Sequence, residues 1–364
     1  MSARQVAEAI QRGIGRILPE SAFQIAPMAD GGEGTVQSII DATGGQMIHL
    51  KVMDPLMREI TSFYGITGDG STAVIEMASA SGIELLKPSE RDPWITSTFG
   101  TGQLISDALD RGVRKIIMGI GGSATNDGGA GMAEALGVDF IYENPNASMR
   151  GGGALGKLKR IRMEGLNPAI RDTEILVACD VSNPLTGSEG ASAIYGPQKG
   201  ADPEMVKLLD ANLLHYANII DVQLGKQVGI VPGSGAAGGL GAGLMAFLDA
   251  HLTRGFDLVA EAVGLEQKII EADLVITGEG KMDAQTQYGK TPFGVAQLAK
   301  KHQKTVIGVG GTIDEGAEVL YDLGFDVIMP IMEGPADLEF AMTNARYLLE
   351  NTGERMGRWL SLET

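Results

Sequence analysis

Cysteine is nearly absent, since the 364 residues include only Cys179. The chain therefore cannot form an intramolecular disulfide or a cysteine metal cluster, and we expect a reducing, cytoplasmic setting. Its histidines are scattered without an HxH or HExxH spacing, which favours surface or packing roles over metal binding. The first residues, MSARQVAEAIQRGIGRIL, have the apolar spacing of an amphipathic helix, not that of a signal peptide.

Positive charge is also scarce. Lys and Arg total 29 against 46 Asp and Glu, which gives a formal net charge of −17. We expect neither a nucleic-acid partner nor an anionic membrane partner, because no basic face could neutralise phosphates. No apolar run reaches the roughly 18 residues of a membrane-spanning helix. An anionic ligand would have to be held locally by main-chain N–H groups, a few cations or a metal ion.

Glycine, in contrast, is abundant. Its 52 copies are roughly twice the average share. They cluster at the ends of apolar runs, which indicates loops that line a ligand. The clearest is GIGGSATNDGG at 119–129, which follows the apolar run VRKIIMGI.

Strand and helix patterns alternate along the chain. A strand at 23–26 precedes a glycine-rich turn and a helix at 35–42. Further strands are predicted at 48–52, 59–66, 72–75, 115–119 and 174–178, with helices at 3–18, 101–111, 129–136 and 203–221. Strands at 273–277, 305–309 and 326–330 alternate with helices at 293–302, 315–323 and 337–351. This pattern predicts an α/β fold with a parallel sheet. Both chain ends build one domain, and the middle is inserted into it.

Acidic and amide side chains follow several of these strands, where the ligands of open α/β sheets bind. Each cluster alone could be a turn with local hydrogen bonds. Together they favour one site in a cleft. The residues concerned are Asp30, Glu33, Asn126, Asp127, Asp180, Glu279 and Asp283.

This combination suits phosphoryl transfer. Mg²⁺ prefers oxygen ligands from one or two carboxylates and the phosphates, and a further Asp can orient or deprotonate the attacking hydroxyl. Main-chain N–H groups at a helix start can hold phosphate. Cations are sparse, and each is by default a surface residue. They are Arg58, Lys199, Lys281 and Lys290, of which Lys281 is the least ordinary because it lies between two acids.

Two nucleotide motifs fit poorly. A Walker A sequence would need glycine where Ala284 stands. The dinucleotide pattern GxGxxG occurs at 233–238 and precedes a predicted helix at 240–252. Pro232 interrupts the strand that should come before it. Close helix packing or a phosphate-facing loop explains it equally well. An NAD-dependent hydroxy-acid dehydrogenase therefore remains the alternative function.

Long stretches of the sequence resemble the bacterial glycerate kinase family, of the type linked to glucarate and glyoxylate metabolism. They include ADGGEGT, EMASASGIELL, GIGGSATNDGGAGMAEALG, ACDVSNPLTG, GPQKGA and ITGEGKMDAQTQYGKTPFGVA. The resemblance implies ATP-dependent phosphorylation of D-glycerate at the 2-hydroxyl, giving 2-phosphoglycerate. It also implies a flavodoxin-like domain with a second α/β domain inserted into it. The family's first strand and its following loop have no counterpart here, so a truncated, non-catalytic homologue is a further alternative.

From these arguments we predict domains at 1–46 with 268–364, and at 47–267. The partner would be a small molecule bound to a monomer or homodimer. Catalysis is assigned to Asp180, Lys281 and Asp283, and substrate binding to Arg58, Asp30 and Glu33. Mg²⁺ is assigned to Asp127 and Asp283. ATP contacts are assigned to Gly121, Gly122, Ser123, Thr125, Asn126, Gly235 and Gly238.

Overall fold

The computed structural model describes residues 1–29, 31–32, 34–143, 150–287, 290–334 and 337–362. The strands are β1 (Gln46–Met53), β2 (Glu59–Ile66), β3 (Thr72–Glu76), β4 (Lys115–Gly119), β5 (Asp139–Tyr142), β6 (Leu158–Arg162), β7 (Glu174–Ala178), β8 (His251–Thr253), β9 (Leu274–Met282), β10 (Thr305–Ile313) and β11 (Val327–Pro330).

The α-helices are α1 (Ala3–Gly15), α2 (Thr35–Thr43), α3 (Ala78–Ser81), α4 (Phe99–Asp110), α5 (Ala130–Ala135), α6 (Gly152–Leu155), α7 (Ala191–Tyr195), α8 (Pro203–Leu224), α9 (Ala236–Leu248), α10 (Gly255–Ala262), α11 (Leu265–Glu271), α12 (Thr291–Lys301), α13 (Val319–Asp322), α14 (Leu338–Thr343) and α15 (Ala345–Leu360).

The chain forms two compact units. Unit 1 comprises Met1–Asp30 and Val259–Thr364, and unit 2 comprises Gly31–Leu258. In the sequence, unit 2 therefore lies between the two segments of unit 1. The division differs from the sequence-based boundaries at 46/47 and 267/268. Helix α2 belongs to unit 2 because it contacts β2 and β3, and the Glu76 carboxylate of β3 accepts the N–H of Val36.

Unit 2 is built on a sheet with the strand order β1-β2-β3-β4-β7-β8. The first three strands pair antiparallel, and β3, β4, β7 and β8 pair parallel. Strand β3 is buried along its whole length, and β4 is buried after its first residue. Strands covered on both faces read as continuous apolar runs, which is why TAVIE and KIIMG form the sheet centre. The carboxyl ends of the parallel strands therefore share one edge.

Unit 1 holds a parallel sheet in the order β11-β10-β9. Helix α1 packs closely along α15, and their apolar faces share a buried cluster with Ile307 and Val309 of β10. Ser2 caps α1 as a capping box: its hydroxyl accepts the N–H of Gln5 at 3.3 Å, and the Gln5 side chain accepts the N–H of Ser2 at 3.0 Å. The helix predicted at 3–18 is thus confirmed over Ala3–Gly15, and a capping box starts it.

Most predicted elements are present, with ends shifted by a few residues. The strand predicted at 23–26 is wrong: no strand forms there, and Phe23 instead packs against the apolar cluster of unit 1. The single helix predicted at 337–351 is two helices, α14 and α15, separated by Asn344. An apolar pattern shows that a segment is buried, but a strand also needs a neighbour with which to pair. Over the described ranges, no helix is long and apolar enough to cross a membrane.

Candidate active site

The glycine-rich loop after β4 lies at the edge where the parallel strands of unit 2 end. Gly121 and Gly122 are exposed, whereas the next residues of the loop are buried. Gly122 has a φ of 72°, which favours glycine. Its carbonyl accepts the N–H of Ile83 at 2.8 Å. The part of the loop open to a ligand is therefore the Gly121–Gly122 main chain, with the predicted contacts Ser123, Thr125 and Asn126 lying beneath it.

Asp127 is buried in the same loop, with 1% of its surface exposed. One carboxylate oxygen accepts the N–H of Thr98 at 2.8 Å, the hydroxyl of Thr98 at 2.9 Å and the N–H of Gly131 at 3.2 Å. The other accepts the N–H of Gly129 at 3.1 Å. Burial raises the pKa of this carboxyl, and the hydrogen bonds oppose that shift.

These contacts bear on two of our predictions. Donors at the start of α5 are bonded to Asp127, so this helix start is not open to phosphate. The carboxylate oxygens that a Mg²⁺ ion would need are occupied by protein donors. The geometry therefore favours a structural role for Asp127, as the group that holds the loop against the start of α4 and α5.

Sequence reasoning named Lys199 among the sparse cations but missed its burial, because a lone lysine is usually on the surface. Its side chain is buried, with 1% exposed. Nζ donates to Ser123 Oγ and to the carbonyl of Thr125, both at 2.7 Å. Burial lowers the pKa of Lys199 to about 7, and the charge of Asp127 opposes that shift. The flanking segment GPQKGA gave no periodic signal of burial.

Asn126 and Thr125 complete the buried layer under the loop. The Asn126 amide donates to Ser192 Oγ at 3.0 Å. Among the described residues, Thr125 Oγ1 and Asn126 Oδ1 are buried and have no hydrogen-bond partner. Unpartnered buried oxygens are uncommon in folded proteins and often mark functional sites. Polar groups are thus concentrated directly beneath the exposed glycines.

Asp180 lies at the carboxyl end of β7, on the same edge as the loop. It is exposed, and one of its oxygens accepts the N–H of Gly255 at 3.0 Å. Gly255 follows β8, the next strand of the sheet. The hydrogen bond fixes the carboxylate at the edge while leaving it accessible to solvent. This position suits an acid–base group.

Arg58 lies in the turn between β1 and β2. Its guanidinium donates to Asp54 at 2.6 Å and to Glu90 at 2.8 Å. The hydrogen bonds to Asp54 and then Glu90 raise the pKa of Arg58. Its charge is therefore largely balanced by protein carboxylates, which weakens the case for Arg58 as the holder of a substrate carboxylate. The side chain is 47% exposed, so contact with a ligand remains sterically open.

Unit 1 carries its own charged cluster at the carboxyl end of β9. Lys281 Nζ lies 2.7 Å from Asp314 and 3.2 Å from Asp283. Lys281 contributes to lowering the pKa of both carboxyls, although for Asp283 the N–H of Gln285 is the larger cause. Beside them, Lys290 contacts Glu279 at 3.2 Å. Asp314 follows β10 in the segment GGTIDEG, and sequence reasoning missed it although this segment is a glycine–acid cluster like the one after β9.

The GxGxxG pattern has a packing explanation. A short 3₁₀ turn at Val228–Ile230, and not a strand, precedes it. A Cβ on Gly238 would overlap the carbonyl oxygen of Thr125, and one on Gly235 would overlap that of Pro184. Both glycines therefore allow main chains to meet. The strand–loop–helix context of a dinucleotide site is missing from these described residues.

Two predicted substrate residues, Asp30 and Glu33, lie outside the described residues. The others divide between the units: Lys281 and Asp283 belong to unit 1, and the rest belong to unit 2. Within unit 2, the sheet edge brings together the glycine loop, Asp180 and the turn that carries Arg58.

Parallel strands that end in exposed glycines and an exposed carboxylate are typical of α/β proteins that bind small anionic ligands. The chain belongs to the glycerate kinase family, whose model (Glycerate kinase family) matches residues 1–361. The dehydrogenase alternative is not favoured.

Named relatives cover nearly the whole chain. A glycerate kinase of Halalkalibacterium halodurans is 50% identical over 356 residues, which are 98% of this chain and 94% of the relative. A glycerate 2-kinase of Escherichia coli K12 is 49% identical over 345 residues, which are 95% of this chain and 91% of the relative. A crystal structure from Salmonella typhimurium LT2, described as a glycerate kinase 2, has a TM-score of 0.92 at 46% identity and covers 100% of this chain and 95% of that one.

Proposed function

We propose that this protein transfers the γ-phosphoryl group of ATP to the 2-hydroxyl of D-glycerate, giving 2-phosphoglycerate and ADP. The observation that carries the proposal is the family match over residues 1–361, together with relatives named glycerate kinase or glycerate 2-kinase at 46–50% identity. The cytoplasmic setting and the monomeric or homodimeric state stay predictions.

The residues of unit 2 supply two roles. Within the described ranges, the N–H groups of Gly121 and Gly122 have no hydrogen-bond acceptor, so they are available to phosphate oxygens. Asp180 would take the proton of the attacking hydroxyl. In the reaction, that oxygen bonds to the γ-phosphorus, the bond to the oxygen bridging to the β-phosphorus breaks, and the proton passes to Asp180.

The carboxylates of unit 1 also accept protein donors, but they are more accessible to a magnesium ion than the buried Asp127. Asp283 and Asp314 flank Lys281, and both carboxyls have a lowered pKa, which keeps them ionised. Two carboxylates are enough for Mg²⁺, which takes its other ligands from phosphates and water. When bound, Mg²⁺ would neutralise charge on the phosphates. Lys281 would bridge the two carboxylates and offer its own charge to an anionic group.

The test is an assay that identifies the product. Purified protein is incubated with MgATP and D-glycerate, and enolase is added to convert any 2-phosphoglycerate into phosphoenolpyruvate, which absorbs at 240 nm. We expect immediate absorbance without phosphoglycerate mutase. Absorbance that appears only with the mutase would indicate the 3-phosphate and refute the choice of hydroxyl. Absence of ADP release would support the non-catalytic alternative, and reduction of NAD⁺ by glycerate would support the dehydrogenase.

The acid–base role of Asp180 has a matched control. Asp180→Asn keeps an oxygen that can accept the N–H of Gly255 but removes the basic carboxylate, so kcat should fall at least about 100-fold. Asp69 is also exposed and accepts one N–H, that of Ser71 at 3.1 Å, but it lies in the turn before β3, at the opposite edge of the sheet. Asp69→Asn should retain the parent rate. A kcat of Asp180→Asn near the parent value would remove Asp180 from this role.

A further inference from the structure

We infer that Lys199 is the positioning residue of the Gly121–Asn126 loop, holding it in the conformation that presents the Gly121 and Gly122 N–H groups to the phosphates of a nucleotide. The inference rests on the proposed function, because it assigns a residue to the phosphate contact of that reaction. Lys199 would touch neither the substrate nor the nucleotide and would act through the loop.

The burial of Lys199 demands an explanation. Lysine is almost never fully buried without a partner charge, because removing an ammonium from water costs several kcal/mol. Both acceptors of its Nζ, Ser123 Oγ and the carbonyl of Thr125, are neutral oxygens at 2.7 Å, and the charge of the buried Asp127 offsets only part of the desolvation. A well-packed apolar residue would avoid the desolvation cost. The ammonium is therefore better explained by what it fixes than by what it adds to stability.

What it fixes is the part of the loop that carries the exposed glycines. Nζ joins the side chain of Ser123, next to Gly122, to the main chain of Thr125, two residues further on. The opposite side of the loop is held by main-chain bonds: Ile83 N–H donates to Gly122 O, and Ala124 N–H donates to Ser81 O. With both sides held, the glycines cannot relax into other conformations. A preorganised set of N–H donors loses less entropy on binding phosphate than a mobile one.

The chain offers a matched control in Lys226, which also belongs to unit 2. Its Nζ donates to the Ala246 carbonyl and to Asp249 Oδ1, both at 2.6 Å, at the end of α9. Lys226 thus makes the same kind of contact with main-chain oxygen, but it has no bond to the glycine loop. Loss of its ammonium should lower stability without changing nucleotide affinity.

The experiment compares full-length wild type, Lys199→Met, Ser123→Ala, the double variant and Lys226→Met. Calorimetry with MgADP gives nucleotide affinity independently of turnover, and steady-state kinetics give KM for MgATP and for D-glycerate. The loss in nucleotide affinity is limited by the free energy with which these hydrogen bonds hold the loop, which corresponds to about tenfold in affinity. We expect Lys199→Met to weaken MgADP binding and raise KM for MgATP about tenfold, with KM for D-glycerate changed less than about twofold.

Ser123→Ala should likewise weaken MgADP binding and raise KM for MgATP. The double variant should be no worse than Lys199→Met, because the two residues act through one hydrogen bond. Lys226→Met should lower the thermal midpoint of unfolding but leave MgADP affinity and KM for MgATP unchanged. If Lys199→Met does not fold, the MgADP affinity and the KM for MgATP of Ser123→Ala decide whether Lys199 positions the loop.

The inference is wrong if Lys199→Met or Ser123→Ala keeps the MgADP affinity of wild type, or if wild type does not bind MgADP. It is also wrong if Lys199→Met raises KM for MgATP and KM for D-glycerate equally, or if the losses of MgADP affinity add up in the double variant. The proposed function fails separately. If wild type binds MgADP, shows the Lys199 effect and does not phosphorylate D-glycerate, the positioning role stands and the substrate is wrong. If wild type phosphorylates D-glycerate and Lys199→Met keeps its MgADP affinity, the proposed function stands and the positioning role of Lys199 is wrong.

Discussion

The carboxylate of Asp127 accepts both the main-chain N–H of Thr98, at 2.8 Å, and its hydroxyl, at 2.9 Å. This pair ties the glycine loop after β4 to the start of α4. The Thr98 hydroxyl oxygen in turn accepts the N–H of Met132 in α5 at 2.9 Å. One buried acid thus connects three elements of unit 2, which explains why an acidic residue occupies the centre of the loop.

Asp127→Asn should therefore destabilise the protein strongly. The new amide NH₂ would face N–H and O–H donors, so up to three hydrogen bonds are lost, and we expect a loss of about 3 kcal/mol or more in the free energy of unfolding. Urea unfolding followed by circular dichroism measures it. Asp110 is exposed at the end of α4, and Asp110→Asn should be neutral. A midpoint for Asp127→Asn equal to that of the parent would contradict the structural role.

Gly238→Ala should disrupt the contact between α9 and the glycine loop. Gly238 has a φ of 68°, and a Cβ there would lie 2.7 Å from Asn126 Cα and overlap the Thr125 carbonyl oxygen. Gly225 has nearly the same φ, 67°, but no atom lies within 4 Å of a Cβ added to it.

Gly225→Ala should therefore cost only the conformational strain, about 1 kcal/mol. Gly238→Ala should cost several times more, because main chains must separate. Chemical denaturation of the two variants gives the comparison. Equal losses would show that backbone conformation, and not close packing, requires Gly238.

Lys199 should make stability depend on pH. Its pKa in the folded protein is lowered to about 7 from 10.5, so between these values the unfolded chain binds more protons than the folded one. The free energy of unfolding should thus rise with pH through this window, by up to about 1.4 kcal/mol per pH unit. Lys199→Met lacks this contribution.

The measurement is the difference in unfolding free energy between wild type and Lys199→Met at pH 6.5 and at pH 9. Other groups titrate alike in both proteins and cancel. The difference should move in favour of wild type as the pH rises. A difference that is constant across this range would show that Lys199 does not have a lowered pKa.

Gly13→Ala should separate the two long helices of unit 1. A Cβ on Gly13 would overlap the Glu350 carbonyl oxygen and lie 2.7 Å from Glu354 N, whereas one on Gly15 would meet nothing within 4 Å. Alanine favours helix over glycine by up to about 1 kcal/mol. Gly15→Ala should therefore be neutral or slightly stabilising, and Gly13→Ala should lower the thermal midpoint by several degrees. Equal midpoints would refute the close helix contact.

Local sequence predicted most of the secondary structure. Strands such as KIIMG were predicted with their observed ends because continuous apolar runs between turns are typical of buried parallel strands. The strand predicted at 23–26 failed because pairing depends on a neighbouring strand, which a local pattern does not reveal. The helix ends of α4 and α9 moved by a few residues, since glycine-rich segments have weak local preferences.

Part of the candidate site could also be predicted from the sequence, and part could not. The sequence indicated the glycine loop and Asp180, because residues after parallel strands share one edge of their sheet, and it indicated the acid–lysine group after β9, in the other sheet, by the same rule. It could not distinguish a carboxylate that faces solvent from one whose oxygens are filled by protein donors, as in Asp127. It also could not show that Lys199 is buried, since its partners are 74 and 76 residues away along the chain.

The order of apolar runs and glycine turns by itself predicted the α/β class, and long motif segments by themselves carried the resemblance to the family, since both are patterns that are continuous along the chain. Only the tertiary structure decided which polar residues support the loop and which remain accessible. Burial and hydrogen-bond partners arise between residues that are distant in sequence, and these two quantities set the charge and the role of each group.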